Sequence, residues 1–305
     1  MRRLLIAVLA VQGVAGAQSS SGPATIPTDS GMNDRQFPPT FQAIKLPTHG
    51  TMVNAVFYGA QGPELKPAIV FLHGFPGNER NLDLAQSLRR AGFHVLFFNY
   101  RGSWASGGAF SFAAARADIG AATAYLRQPE TSQRLRIDTK RIYLVGHSMG
   151  GWLALAAAAD DPTIRCTVAL MPWNLGRVGA LLSDPKADSR RFVASFRTNT
   201  DSISGPLRGT SSDALVREVV ASKTSWDFAA FASSLADRAT LVVTSSRDET
   251  APEFQRGGLD SAMAKLGARR YRSLAIDDDH TFSAHRLNVA KFVIDWIQSA
   301  CERGE

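Results

Sequence analysis

The tightest constraint on this chain is the turn Gly146-His147-Ser148-Met149-Gly150, followed by Gly151. It is preceded by Arg141-Ile142-Tyr143-Leu144-Val145, an apolar and partly β-branched run that reads as a buried strand. It leads into Trp152-Leu153-Ala154-Leu155 and four alanines, a stretch of high helix propensity. Ser148 therefore sits on a sharp strand-to-helix turn. A serine hydroxyl attacks a carbonyl only if it is held clear of its own backbone. Glycines two residues before and after it make room for the strained φ/ψ that does this. The helix that begins here also directs its unpaired N–H groups at the point of attack, and the Met149 N–H becomes a donor to a developing oxyanion. Taken alone, the pentapeptide could be an ordinary glycine-rich turn. Its setting between strand and helix favours a nucleophile.

Around this turn the chain alternates between strand-like and helix-like segments. Residues 41–46 and 51–58 read as two strands turning at Pro47-Thr48-His49-Gly50. Residues 68–72 form a continuous apolar run, the mark of a strand covered on both faces. A helix is expected over 81–91, closed by Gly92, then a strand over 93–100 and a helix over 112–127 that carries Asp118. Strands follow at 166–171, 240–244 and 271–276, with helices over 254–266 and 282–300. Alternation with short connections predicts an α/β fold with a mostly parallel central sheet covered by helices on both faces. Residues 174–237 interrupt the rhythm, with helical patches near 190–196, 213–222 and 226–235, and read as an insertion above the sheet.

The first residues look like a targeting segment. Met1-Arg2-Arg3, an apolar run over 4–11 and Ala15-Gly16-Ala17 predict a signal peptide over 1–17, cleaved after Ala17, and an exported protein, periplasmic or secreted. The apolar run is too short to span a bilayer, so no stable membrane insertion is expected. Residues 18–40 are rich in Ser, Pro and Gly and read as a flexible leader, leaving 41–300 as the folded domain. Loss of Arg2 and Arg3 takes the formal net charge from +7 to +5. Its basic residues are scattered and no nucleic-acid motif accompanies them, so the charge reads as surface solubility rather than a nucleic-acid partner. Two cysteines, Cys166 and Cys301, lack metal-ligand spacing and a nucleophile context. They fall at the start of a strand and the end of the last helix, at the sheet edge away from Ser148, where a bridge is geometrically possible.

A serine nucleophile needs a base, and the base needs a carboxylate to orient it. In a parallel sheet these groups gather where strands end at their C-terminal edge. That criterion selects Asp248 after the 240–244 strand, with Glu249 as the fallback, and His280 after the 271–276 strand. Of the other histidines, His49 and His94 lie away from that edge, His285 lies inside the last helix, and His147 flanks the nucleophile but points elsewhere. The acidic run Asp277-Asp278-Asp279 reads either as a solvated turn or as a source of negative potential that raises the His280 pKa. The second oxyanion donor is expected in the loop after the 68–72 strand, as the Phe75 N–H, with Gly74 permitting the turn and His73 bonding within the loop.

These residues together resemble the α/β-hydrolase superfamily over about residues 50–300, apart from the insertion. The resemblance is carried by Gly146-His147-Ser148-Met149-Gly150, by His73-Gly74 after a core strand and by the chain order Ser148, Asp248, His280. The His73-Gly74-Phe75-Pro76-Gly77 loop and Asn99-Tyr100-Arg101-Gly102 are similar to the branch of prolyl-oligopeptidase-like peptidases, serine aminopeptidases and dienelactone-hydrolase-type esterases. The resemblance implies an α/β-hydrolase fold with a helical lid at about 174–237 and a serine acyl-enzyme. It implies no metal and no organic cofactor, and a small-molecule ester or a short peptide as substrate. Hydrolysis of a carboxylic ester is the expectation; a secreted exopeptidase or amidase would use the same residues. Trp173, Phe192, Phe196, Trp226, Phe228 and Phe231 either line an acyl pocket or pack the lid onto the body.

Overall fold

A computed structural model describes residues 34–184, 187–203, 205–248 and 258–302. The expected signal peptide, the leader up to residue 33 and Glu249 lie outside the described residues. From Asp34 onward the leader is tied to the body. Gly62 donates to the Phe37 carbonyl, and the Arg136 guanidinium lies 4.4 Å from the centre of the Phe37 ring.

The strands are β1 (Thr40–Thr48), β2 (Thr51–Gly59), β3 (Lys66–Leu72), β4 (His94–Phe98), β5 (Ile137–His147), β6 (Cys166–Leu170), β7 (Ala239–Ser245) and β8 (Tyr271–Ile276). They form one sheet in the order β1-β2-β4-β3-β5-β6-β7-β8. β1 and β2 pair antiparallel, as do β2 and β4, and every later pairing is parallel. The helices are α1 (Leu82–Arg90), α2 (Phe112–Arg127), α3 (Pro129–Leu135), α4 (Met149–Asp160), α5 (Leu175–Leu182), α6 (Ala187–Ile203), α7 (Ser212–Ala221), α8 (Phe228–Leu235), α9 (Leu259–Lys265) and α10 (Arg286–Trp296). None of them is long and apolar enough to cross a membrane.

The continuous apolar runs of the central strands serve two cores at once. Because successive side chains of a strand point to opposite faces, Ala68, Val70 and Leu72 join one buried cluster with Leu144, α2, α4 and the helices of the insertion. Ile69 and Phe71 join another with Val145, α1 and α10. Such two-sided burial marks a parallel sheet with helices on both faces. At the edge of β6 away from Ser148, Cys166 is bonded to Cys301, and their Cα atoms are 5.6 Å apart.

The helices depart from the sequence reading in places. No helix was read over 129–135, where α3 lies, and α5 precedes the helical patches read in the insertion. At the start of α5 the Asn174 side chain accepts from the Arg177 N–H at 3.2 Å, and Leu175, Val178 and Leu182 bury one face. α10 begins at Arg286 rather than at 282, because Phe282 sits at φ 57° and the preceding turn is held by the Asp278 and Asp279 carboxylates.

The insertion is woven into the body rather than laid over it. Glu218 of α7 accepts from the Phe112 and Ala113 N–H groups, at 3.0 and 2.8 Å, where α2 starts. The Trp152 indole of α4 donates to the Trp226 carbonyl at 2.9 Å. Trp226, Phe228 and Phe231 are buried in the main core, so these three pack the insertion onto the body. The Phe192 side chain lies outside the described residues.

Candidate active site

β5 delivers Ser148 to the C-terminal edge of the sheet, and α4 starts at the next residue. Ser148 adopts φ 58° and ψ −120°, a region that non-glycine residues rarely occupy and that costs on the order of 1–3 kcal/mol. The surroundings enforce it. The Ser148 N–H donates to the Leu170 carbonyl at 2.8 Å, and its carbonyl accepts from the Trp173 N–H at 3.1 Å. A Cβ at Gly146 would overlap the Gly150 carbonyl, and one at Gly150 would overlap the Leu72 carbonyl. Both flanking glycines are therefore needed for the turn to close against β3.

The loop after β3 lies directly against the serine. A Cβ on Gly74 would stand 3.1 Å from the Ser148 Cβ and 3.5 Å from its Oγ. The buried His73 ring bonds the Gly74 carbonyl through Nδ1 at 2.7 Å, and the Tyr100 hydroxyl donates to the His73 carbonyl at 2.9 Å. Burial pulls the His73 pKa down to about 4, so the ring is neutral at ordinary pH. The C=O and N–H of one peptide point in opposite directions. Holding the Gly74 carbonyl toward His73 therefore turns the Phe75 N–H away from that ring. Phe75 is half-buried, and its ring lies 5.6 Å from Phe112 and 6.2 Å from Trp173. Phe196 of α6 stacks on Trp173 at 6.1 Å. Met149, the first residue of α4, is fully buried.

Asp248 and His280 arrive from the ends of β7 and β8 and meet directly. His280 Nδ1 lies 2.7 Å from Asp248 Oδ2, with the carboxylate fully buried and the imidazole 18% exposed. A buried carboxylate on Nδ1 fixes the tautomer with the proton there and leaves Nε2 as the basic nitrogen. His147 does not point away from the site. Its Nε2 donates to the His280 carbonyl at 2.8 Å, and the two rings are 5.0 Å apart. The residue before Ser148 thus anchors the loop that carries His280. Burial, with His280 adding to it, lowers the His147 pKa to about 3, so this strut is an uncharged donor.

The acidic run is spent on the loop itself. Asp277 pairs with Arg247, Asp278 accepts from His285 and the Ala284 N–H, and Asp279 accepts from the Thr281 and Ser283 N–H groups. Those bonds hold the Asp279 carboxyl well below the usual carboxylate range. His285 stands at the start of α10, not inside it, and belongs to this scaffold. His94 is buried at the opposite end of the sheet, accepting from the Ala60 N–H, with its pKa lowered to about 4 by burial. Among the described residues, no group of three or more His, Cys, Asp or Glu side chains is placed to hold a metal ion.

A strained serine between strand and helix at the switch from sheet to covering helix, with an Asp–His pair at the same edge of an eight-stranded sheet, defines an α/β hydrolase. The chain belongs to the α/β hydrolase family, whose model matches residues 69–290. Among curated relatives, a bis(hydroxyethyl) terephthalate hydrolase from Streptomyces coelicolor is 42% identical over 55 residues, 18% of each chain. Cutinase est1 of Thermobifida alba is 38% identical over 52 residues, 17% of this chain and 18% of its own. The chain therefore matches well under two thirds of the length of these relatives. Est1E from Butyrivibrio proteoclasticus superposes with a TM-score of 0.63 at 19% identity, over 86% of this chain and 99% of its own, a likeness of fold.

Proposed function

We propose that this protein is an exported serine hydrolase that cleaves carboxylic esters through an acyl-enzyme on Ser148. The observation that carries the reading is the hydrogen bond from His280 to the buried Asp248 carboxylate, on a loop anchored by the residue next to the strained Ser148. In this mechanism the Ser148 hydroxyl attacks the acyl carbon and His280 takes its proton through Nε2. Asp248 orients the imidazole and stabilises the imidazolium. The N–H groups of Met149 and Phe75 receive the negative oxygen of the tetrahedral intermediate. The alcohol leaves with the proton from His280, and water repeats the sequence to release the acid and restore Ser148. Two features support export: the signal-peptide pattern at the start of the sequence and the Cys166–Cys301 bond, which suits an oxidising compartment. The ester preference is supported by the bis(hydroxyethyl) terephthalate hydrolase and the cutinase that the chain resembles over short stretches.

Turnover of aryl esters against aminoacyl-arylamides, together with fluorophosphonate labelling, tests the proposal. Wild type is expected to label and to prefer esters, and Ser148→Ala to do neither. Preference for arylamides would move the reading to an exopeptidase or amidase. Labelling of the Ser148→Ala variant at the wild-type rate would remove Ser148 as nucleophile.

A further inference from the structure

Four carbonyls of the His73–Gly77 loop each accept a hydrogen bond from a side chain. His73 is held by Tyr100 and Gly74 by His73, as described above. The Pro76 carbonyl accepts from the Trp104 indole N–H at 2.8 Å, and the Gly77 carbonyl from Arg80 Nε at 3.0 Å. The last two are coupled, because the Arg80 guanidinium lies 4.2 Å from the centre of the Trp104 ring. Gly77, at φ 102°, lets the loop close onto this pair. A Cβ there would come within 2.7 Å of both the His73 ring and the Trp104 indole nitrogen.

Trp104 itself is held in an unusual state. It and Ala105 have φ of 47° and 62°, left-handed values that cost non-glycine residues free energy unless the surroundings impose them. The constraint comes from the insertion. The Trp104 N–H donates to the Pro206 carbonyl at 2.9 Å, the Arg208 N–H to the Gly102 carbonyl at 2.7 Å and the Phe110 N–H to the Arg208 carbonyl at 2.9 Å. On its other side the Asn54 amide donates to the Trp104 carbonyl at 3.3 Å.

We propose that Trp104 is a positioning residue for the oxyanion-binding loop, joining the insertion to the Pro76 end of that loop so that the Phe75 N–H is aimed before substrate arrives. The inference rests on the ester-hydrolase reading and gives the insertion a role in the rate of the chemical step. Oxyanion stabilisation acts on the transition state more than on the ground state, so a loosened donor lowers kcat and leaves KM nearly unchanged.

Two replacements of Trp104 test this in the full mature chain. One is Trp104→Phe. The other puts benzothienylalanine at position 104, which keeps the fused-ring shape and replaces the N–H by sulfur. For both, kcat on a short aryl ester is expected to fall about ten- to a hundred-fold, less than the loss of a donor itself, with KM within about three-fold. The affinity for a trifluoromethyl ketone, whose serine adduct carries the oxyanion, is expected to fall by the same factor as kcat/KM. A sulfur-containing protein with wild-type kcat and wild-type ketone affinity overturns the proposal, as does a change confined to KM. Failure of the underlying reading shows separately, as a wild-type protein that neither turns over esters nor labels at Ser148.

Discussion

Ser148, Asp248 and His280 were legible in the sequence because each follows a segment whose strand character is plain, and the ends of parallel strands on one edge converge. Local patterning could not show what holds them. His147 bonds a carbonyl 133 residues away, and nothing in its neighbourhood announces that partner. The acidic run looked like a field acting on His280, yet its carboxylates are taken up by Arg247, His285 and backbone N–H groups of their own loop. Among the described residues, Asp248 is the carboxylate bonded to the ring. Asp248→Asn is accordingly expected to keep the fold and lower kcat about ten-thousand-fold, since the amide favours the wrong imidazole tautomer. Steady-state kinetics with a matched thermal unfolding curve checks this, and a loss under ten-fold would contradict the assigned role.

At the scale of elements, the strands and the helices packed on both sheet faces were predictable because their apolar periodicity is set by the cores they fill. The insertion was harder to read. α5 is only two turns long, and α6 buries little besides Phe196 and Thr200 among its described side chains, so hydrophobic patterning gave it weak edges. Its attachments are polar and distant in sequence, as with Glu218 capping α2 across 106 and 105 residues. A carboxylate on the first N–H groups of a helix satisfies donors that have no intrahelical partner and opposes the positive end of the dipole. Glu218→Ala is expected to destabilise the protein by about 1–2 kcal/mol, in the range of a lost helix cap. Urea unfolding reads this as a lowered midpoint at constant slope. An unchanged midpoint would mean that the insertion is held by its apolar contacts alone.

For the whole molecule, burial on both sheet faces was visible in the unbroken apolar run of β3, whereas strand polarity showed only that a Cys166–Cys301 bond was geometrically possible, and the fold shows it formed. The titration behaviour was not visible in the sequence, because it depends on burial that only the assembled fold creates. His73, His94 and His147 have folded pKa values of about 4, 4 and 3 against 6.5 unfolded. Below pH 6.5 the unfolded chain therefore binds more protons than the folded one, and stability falls with falling pH. By pH 5 each histidine costs about 2 kcal/mol. Unfolding midpoints measured from pH 8 to pH 5 should hold steady above pH 7 and drop steeply below pH 6.5, whereas a flat profile down to pH 5 would show these rings to be more accessible than the fold implies.

The central claim is a covalent acyl-enzyme on Ser148. Rapid acid quench of the mature protein during turnover of an aryl ester, followed by intact mass and peptide mapping, should find one acyl group on the peptide containing Ser148 and none in Ser148→Ala. Turnover with no acylated protein under conditions of excess ester, or an acyl group mapped to another residue, would contradict the account.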